Sequence, residues 1–143
     1  MRIILDANIF ISYLLAPDKP RTITEVVEHC FENPAIEMVV PRQLLEEISR
    51  TVRAKKYLRS NIHDEDLTEL LEAIELVALT PQMLDDIPRI FADPNDDYLF
   101  AYALVEEIDY LVTGDRLMLE LRNVEGVKII EVTEFWQILE LDR

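Results

Sequence analysis

Arg2-Ile3-Ile4-Leu5-Asp6 is a short apolar, β-branched run closed by a carboxylate. Such a run, too short for a helix, predicts a strand buried on both faces, as in a parallel sheet. Ile36 to Val40, Tyr110 to Thr113 and Val127 to Val132 read the same way, and Val77 to Thr80 reads as one more short strand. Between them lie helical patterns at Asn8–Ala16, Arg21–Asn33, Pro41 to about Lys56, Asp64–Ala78, Pro94–Ile108, Arg116–Leu121 and Thr133–Leu141. Strands alternating with helices predict an α/β fold, with a mostly parallel central sheet covered by helices on both faces in three layers.

The chain has 143 residues, 14 Lys+Arg and 29 Asp+Glu, for a net charge of −15. Half of it is apolar and its mean hydropathy is +0.05, so one core-forming domain over residues 1–143 is expected. Every apolar run is interrupted by charge before reaching membrane-spanning length, and Met1 to Asp6 is too short and too soon charged for a signal peptide. A cytoplasmic protein with no membrane association is therefore expected. Cys30 falls among Val26, Val27 and Phe31, where a small buried hydrophobe is expected rather than a reactive thiol.

Ligands of open parallel sheets collect at the carboxyl ends of the strands. Asp6 closes the first strand, and Asp115 follows Tyr110-Leu111-Val112-Thr113-Gly114. Glu47 lies in the second turn of the helix after strand Ile36–Val40, and Asp97 lies in the first turn of the helix opening at Pro94. All four are thus predicted at one edge, where mutual repulsion calls for a positive counter-charge. Oxygen-only donors favour Mg²⁺ or Mn²⁺ over zinc. His29 and His63 are expected in ordinary surface or partly buried roles.

Ordinary roles account for some of the acids. Asp93-Pro94-Asn95-Asp96 fits an N-cap with Pro at N1, so capping explains Asp93 and Asp96 without chemistry. Asp97 instead precedes Leu99, Phe100, Ala101, Ala103 and Leu104, an apolar helix that would hold its first turn against the sheet. Glu47, with Leu44 three residues before it, lies nearer the stripe of Leu44, Leu45, Ile48 and Val52 than Glu46 does. The acids between 64 and 75 read as a solvated helix face.

The strongly acidic balance opposes passive binding to nucleic acid. Its exception is Arg42 to Arg59, where six basic residues face two acids, a local +4 that leaves −19 for the remainder. A charge run of this kind is by default a solvated face.

Ile4-Leu5-Asp6-Ala7-Asn8-Ile9-Phe10-Ile11-Ser12, Leu44-Leu45-Glu46-Glu47-Ile48, Asp93-Pro94-Asn95-Asp96-Asp97-Tyr98-Leu99-Phe100-Ala101-Tyr102-Ala103 and Tyr110-Leu111-Val112-Thr113-Gly114-Asp115 together resemble the PIN-domain family. Within it the likeness is in particular to the VapC-type and related toxin components of bacterial toxin–antitoxin systems. The resemblance spans essentially the whole chain. It implies a compact α/β sheet whose acidic edge holds Mg²⁺ or Mn²⁺ and cleaves RNA, with a small antitoxin as inhibitor and a homodimer as assembly. Asp6, Glu47, Asp97 and Asp115 match its acidic positions, with Asp93 a frequent additional acid. Many members carry Thr or Ser where this chain has Ala7. Given this likeness, Arg50, Arg53, Lys55 and Arg116 become candidate RNA contacts.

The main reading is thus a metal-dependent endoribonuclease of the toxin type. The alternative is a PIN-like interaction module with weak or no catalysis, motivated by Ala7 and the charge of −15. A receiver-like phospho-acceptor domain fits less well, because Ala7-Asn8 stands where that class needs an adjacent acidic residue.

Overall fold

The computed structural model describes residues 1–15, 21–87, 89 and 94–141, with the side chains of residues 21 and 94–96 outside that description. Along the chain run β1 (Arg2–Leu5), α1 (Ala7–Leu14), α2 (Arg21–Glu32), β2 (Glu37–Met38), α3 (Arg42–Ala54), α4 (Lys56–Asn61) and α5 (Asp64–Val77). They are followed by α6 (Pro94–Val105), β3 (Tyr110–Val112), α7 (Arg116–Leu119), β4 (Asn123–Val124), β5 (Val127–Ile130) and α8 (Val132–Leu141).

The five strands form one sheet in the order β2-β1-β3-β5-β4. β1 pairs in parallel with β2 and β3, and β3 pairs in parallel with β5. The expected mostly parallel α/β sheet flanked by helices is present. Ile3, Ile4 and Leu5 are at most 1 % exposed, the signature of a strand covered on both faces. Burying each contributes roughly 1.5–3 kcal/mol, which holds β1 inside the sheet between β2 and β3.

Three elements differ from expectation. The basic stretch is two helices, because Lys55 adopts an extended conformation (φ −89°, ψ 119°) and ends α3. Leu58 and Ile62 are buried, so packing sets the angle of α4 where periodicity alone predicts one helix followed by loop. Next, β4 pairs antiparallel with β5 through a two-residue turn, Glu125-Gly126, with φ of 49° and 90°. Both positive angles suit the right-handed strand twist, and Gly126 accepts the second at no steric cost. Finally, Val77–Thr80 yields a single parallel bridge, Leu79 to Val39, in place of a strand.

Cys30 is 1 % exposed, and burial pushes its thiol up to about 12 from the usual 9.0. The folded chain therefore keeps a proton that the unfolded chain releases near 9.0. Its stabilising contribution is complete below that pH and is lost as pH rises through about 12. Cys30→Ala is expected to flatten the decline of stability with pH across this window, as read by denaturant unfolding. Iodoacetamide at neutral pH should alkylate Cys30 only after unfolding.

Candidate active site

Chain direction places the site. From β1 the sheet grows to one side through β2 and to the other through β3 and β5, so the order reverses between β1 and β3. That is the crevice where open α/β sheets bind ligands, at the carboxyl ends of the strands. Leu5 and Val112 are in register, so the next residue of each strand, Asp6 and Thr113, leaves the sheet at the same level.

Asp6 is 5 % exposed. Its Oδ1 accepts from the Ala7 amide at 2.6 Å, and its Oδ2 accepts from the Thr113 hydroxyl at 2.7 Å. Thr113 is fully buried, and its Oγ1 accepts in turn from the Asp115 amide at 3.0 Å. One hydroxyl thus couples the acid ending β1 to the loop carrying Asp115. Asp115 turns its Oδ1 to the amides of Leu117 and Met118, at 2.8 and 3.2 Å, and caps the short helix α7. The Ala7 position lacks a hydroxyl, and Thr113 from the neighbouring strand supplies one to Asp6.

A second group comes from α3 and α6. Asp97 is 3 % exposed, because the helix that follows it is apolar over most of its circumference. The next residue, Tyr98, is buried and donates its hydroxyl to Glu47 Oε1 at 2.5 Å. Burial, this hydrogen bond, and the negative charges of Glu47 and then Asp6 push the Tyr98 phenol far above its usual 10.0, while Arg50 pulls the other way. Asp6, Glu47 and Arg50 therefore all act on one phenol. Glu46 is exposed, whereas Glu47 is half-buried. Sequence reading passed over Tyr98, whose one signal is a polar hydroxyl within an apolar helix just after an acid.

Arg53 and Lys55 are exposed, and Arg116 is exposed beside Asp115. The Arg53 carbonyl accepts from the Arg59 guanidinium at 3.0 Å. His29 sets its ring edge-on against Trp136 at 6.2 Å and accepts from Asn33 at 3.1 Å, and His63 is exposed. Both play the ordinary roles expected of them. Asp93, the additional acid, lies outside the described residues, as does the side chain of Asp96.

The donors suit a hard divalent cation in kind, being carboxylate oxygens with two of the acids buried. Their placement is looser. Among the described residues, no three His, Cys, Asp or Glu side chains stand together as a group that could hold a metal ion. Asp115 in particular is turned toward its own helix. Among those residues, too, no helix is long and apolar enough to cross a membrane.

In fold, the chain is similar to a chain of the VapBC2 complex from Rickettsia felis, whose crystal structure holds a DNA fragment from their promoter. The TM-score is 0.60 at 16% sequence identity, over 92% of this chain and 98% of that one. No curated protein matches. A family model described as PIN domain matches residues 2–117, which include Asp6, Glu47, Asp97 and Asp115. The chain belongs to the PIN domain family, whose members are generally nucleases.

Proposed function

We propose that this chain, as a single PIN-like domain over residues 1–143, is an Mg²⁺- or Mn²⁺-dependent endoribonuclease and the toxin component of a toxin–antitoxin pair. The observation that carries the reading is the buried carboxylate Asp6 at the switch point of the sheet, coupled through Thr113 to the Asp115 loop. Asp6, Asp97, Asp115 and Glu47 are the acids assigned to the metal and to catalysis, with Asp93 as an additional ligand. Together they draw a cation to an edge that would otherwise repel phosphate. A bound divalent ion supplies Lewis acidity and a lowered pKa for water.

The remaining work falls to the chain's own groups. Thr113 and the Ala7 amide hold Asp6 in one orientation, so this acid needs no reorganisation to receive its ligand. Asp115, whose Oδ1 caps α7, would turn from that cap to hold the metal. Arg50, close enough to act on Tyr98, is the basic residue best placed to meet the RNA backbone, with Arg53, Lys55 and Arg116 extending the track. A small antitoxin as inhibitor is supported by the fold shared with a chain of VapBC2. A cytoplasmic homodimer completes the reading; Tyr57 on α4 and Leu76 and Val77 on α5 are exposed large apolar side chains available to an interface.

One observation favours the second reading, an interaction module with weak or no turnover: no three acids among the described residues already stand as an ion-holding group. A calorimetric titration of Mn²⁺ into the wild type and Asp97→Asn decides between the two. The nuclease reading expects binding that the variant loses, together with RNA cleavage that the variant lacks. Absence of Mn²⁺ binding by the wild type, even with single-stranded RNA present, overturns it in favour of the module.

A further inference from the structure

Two tyrosines one turn apart on α6 reach across to two residues one turn apart on α3. Tyr98 donates to Glu47 at 2.5 Å, and Tyr102 donates to Gln43 at 3.1 Å. Both rings are buried, Tyr98 at 5 % and Tyr102 at 0 % exposure. The two rungs differ in kind. Tyr102 also accepts from the Leu84 amide at 3.0 Å, so it ties a connecting segment to the helix pair and ends on a neutral amide. Tyr98 ends on a carboxylate, and the charges of Glu47 and Asp6 both act on its phenol.

From this difference we infer that Tyr98 is a positioning residue: its hydroxyl holds the Glu47 carboxylate in one orientation, ready for the divalent ion. The inference rests on the proposed metal-dependent reading and adds the device that orders one of its acids. The physical need follows from the charges. Glu47 is half-buried on a long side chain, with Asp6 acting on the same phenol. Like charges drive such a carboxylate toward solvent or toward Arg50, one turn further along α3. A charge-assisted O–H···O⁻ bond of this length, in a part-buried setting, is the strong kind and opposes that drift. Asp97 and Tyr98 are consecutive, so the turn of α6 that brings one acid also orients a second.

Calorimetric Mn²⁺ titration of Tyr98→Phe, Tyr102→Phe, Glu47→Gln and Asp97→Asn tests this, with thermal unfolding of each variant as a check that it is folded. Tyr98→Phe removes one oxygen and is expected to weaken Mn²⁺ binding about 10-fold, the usual cost of losing a group that orients a metal ligand. Tyr102→Phe removes the equivalent oxygen one turn away and should change the affinity by less than about twofold. Glu47→Gln should weaken binding at least as much as Tyr98→Phe, because Tyr98 acts through Glu47.

Wild-type affinity in Tyr98→Phe overturns the inference. So does an equal loss in both tyrosine variants, which would mark both rungs as structural, and so does intact binding by Glu47→Gln. If the wild type takes up no Mn²⁺, the metal-dependent reading fails and this inference with it. Binding that Asp97→Asn loses and Tyr98→Phe keeps removes this inference alone.

Discussion

Asp6→Asn is expected to abolish detectable RNA cleavage while leaving the chain folded. The substitution keeps the size of the side chain and an oxygen to accept from the Ala7 amide, so the start of α1 retains its hydrogen bond. It removes the negative charge. If that charge helps to hold a cation that stabilises several kcal/mol of developing charge, its loss costs at least about 10²–10³-fold in rate. Stability should change little, because the variant also removes a buried carboxylate from a cleft that contains other acids. Cleavage assays on single-stranded RNA with Mn²⁺, paired with a thermal melt, read both quantities. Wild-type cleavage by the variant would sink the assignment of Asp6.

Thr113→Val is expected to reduce stability and activity together. Valine preserves the shape of a fully buried side chain and deletes the hydroxyl that donates to Asp6 Oδ2 and accepts from the Asp115 amide. A buried acceptor and a half-buried donor then lose their shared partner, at roughly 1–3 kcal/mol for the fully buried group. In a chain of this size that lowers Tm by about 3–10 °C. Cleavage should fall as well, because Asp6 is no longer held in place. Thr113→Ser keeps the hydroxyl and should restore activity more fully than stability, since it loses only a methyl group from the core. Equal melting temperatures for Thr113→Val and the wild type would show that the hydroxyl carries no structural weight.

Much of the placement of the candidate site residues is legible in the chain itself. An apolar run too short for a helix and closed by a carboxylate can be buried only as a central strand, and its last residue must then emerge at the carboxyl edge. That argument places Asp6 directly after β1, and applied to Tyr110–Thr113 it places Asp115 just beyond β3. Glu47 is separated from Glu46 by the apolar stripe of Leu44, Ile48 and Val52, all three buried. Two of the three departures arose where the local signal was weak. Lys55 carries no helix-breaking chemistry, so the junction of α3 and α4 is set by burial of Leu58 and Ile62. Glu-Gly is a poorer turn signal than Asn-Gly, and a two-residue strand has no periodicity to read.

The sequence by itself marked β1, β2, β3 and β5 as strands and put Asp6 at the end of the first, because these depend on neighbours within a few positions. Only the tertiary structure decided that β1 and β3 are adjacent, that the Thr113 hydroxyl reaches Asp6 and that Tyr98 reaches Glu47. Those pairs are separated by 107 and 51 positions along the chain, respectively. Hydrogen bonds over such separations form only once a shared core has brought the elements together, and no local pattern encodes which hydroxyl will meet which carboxylate.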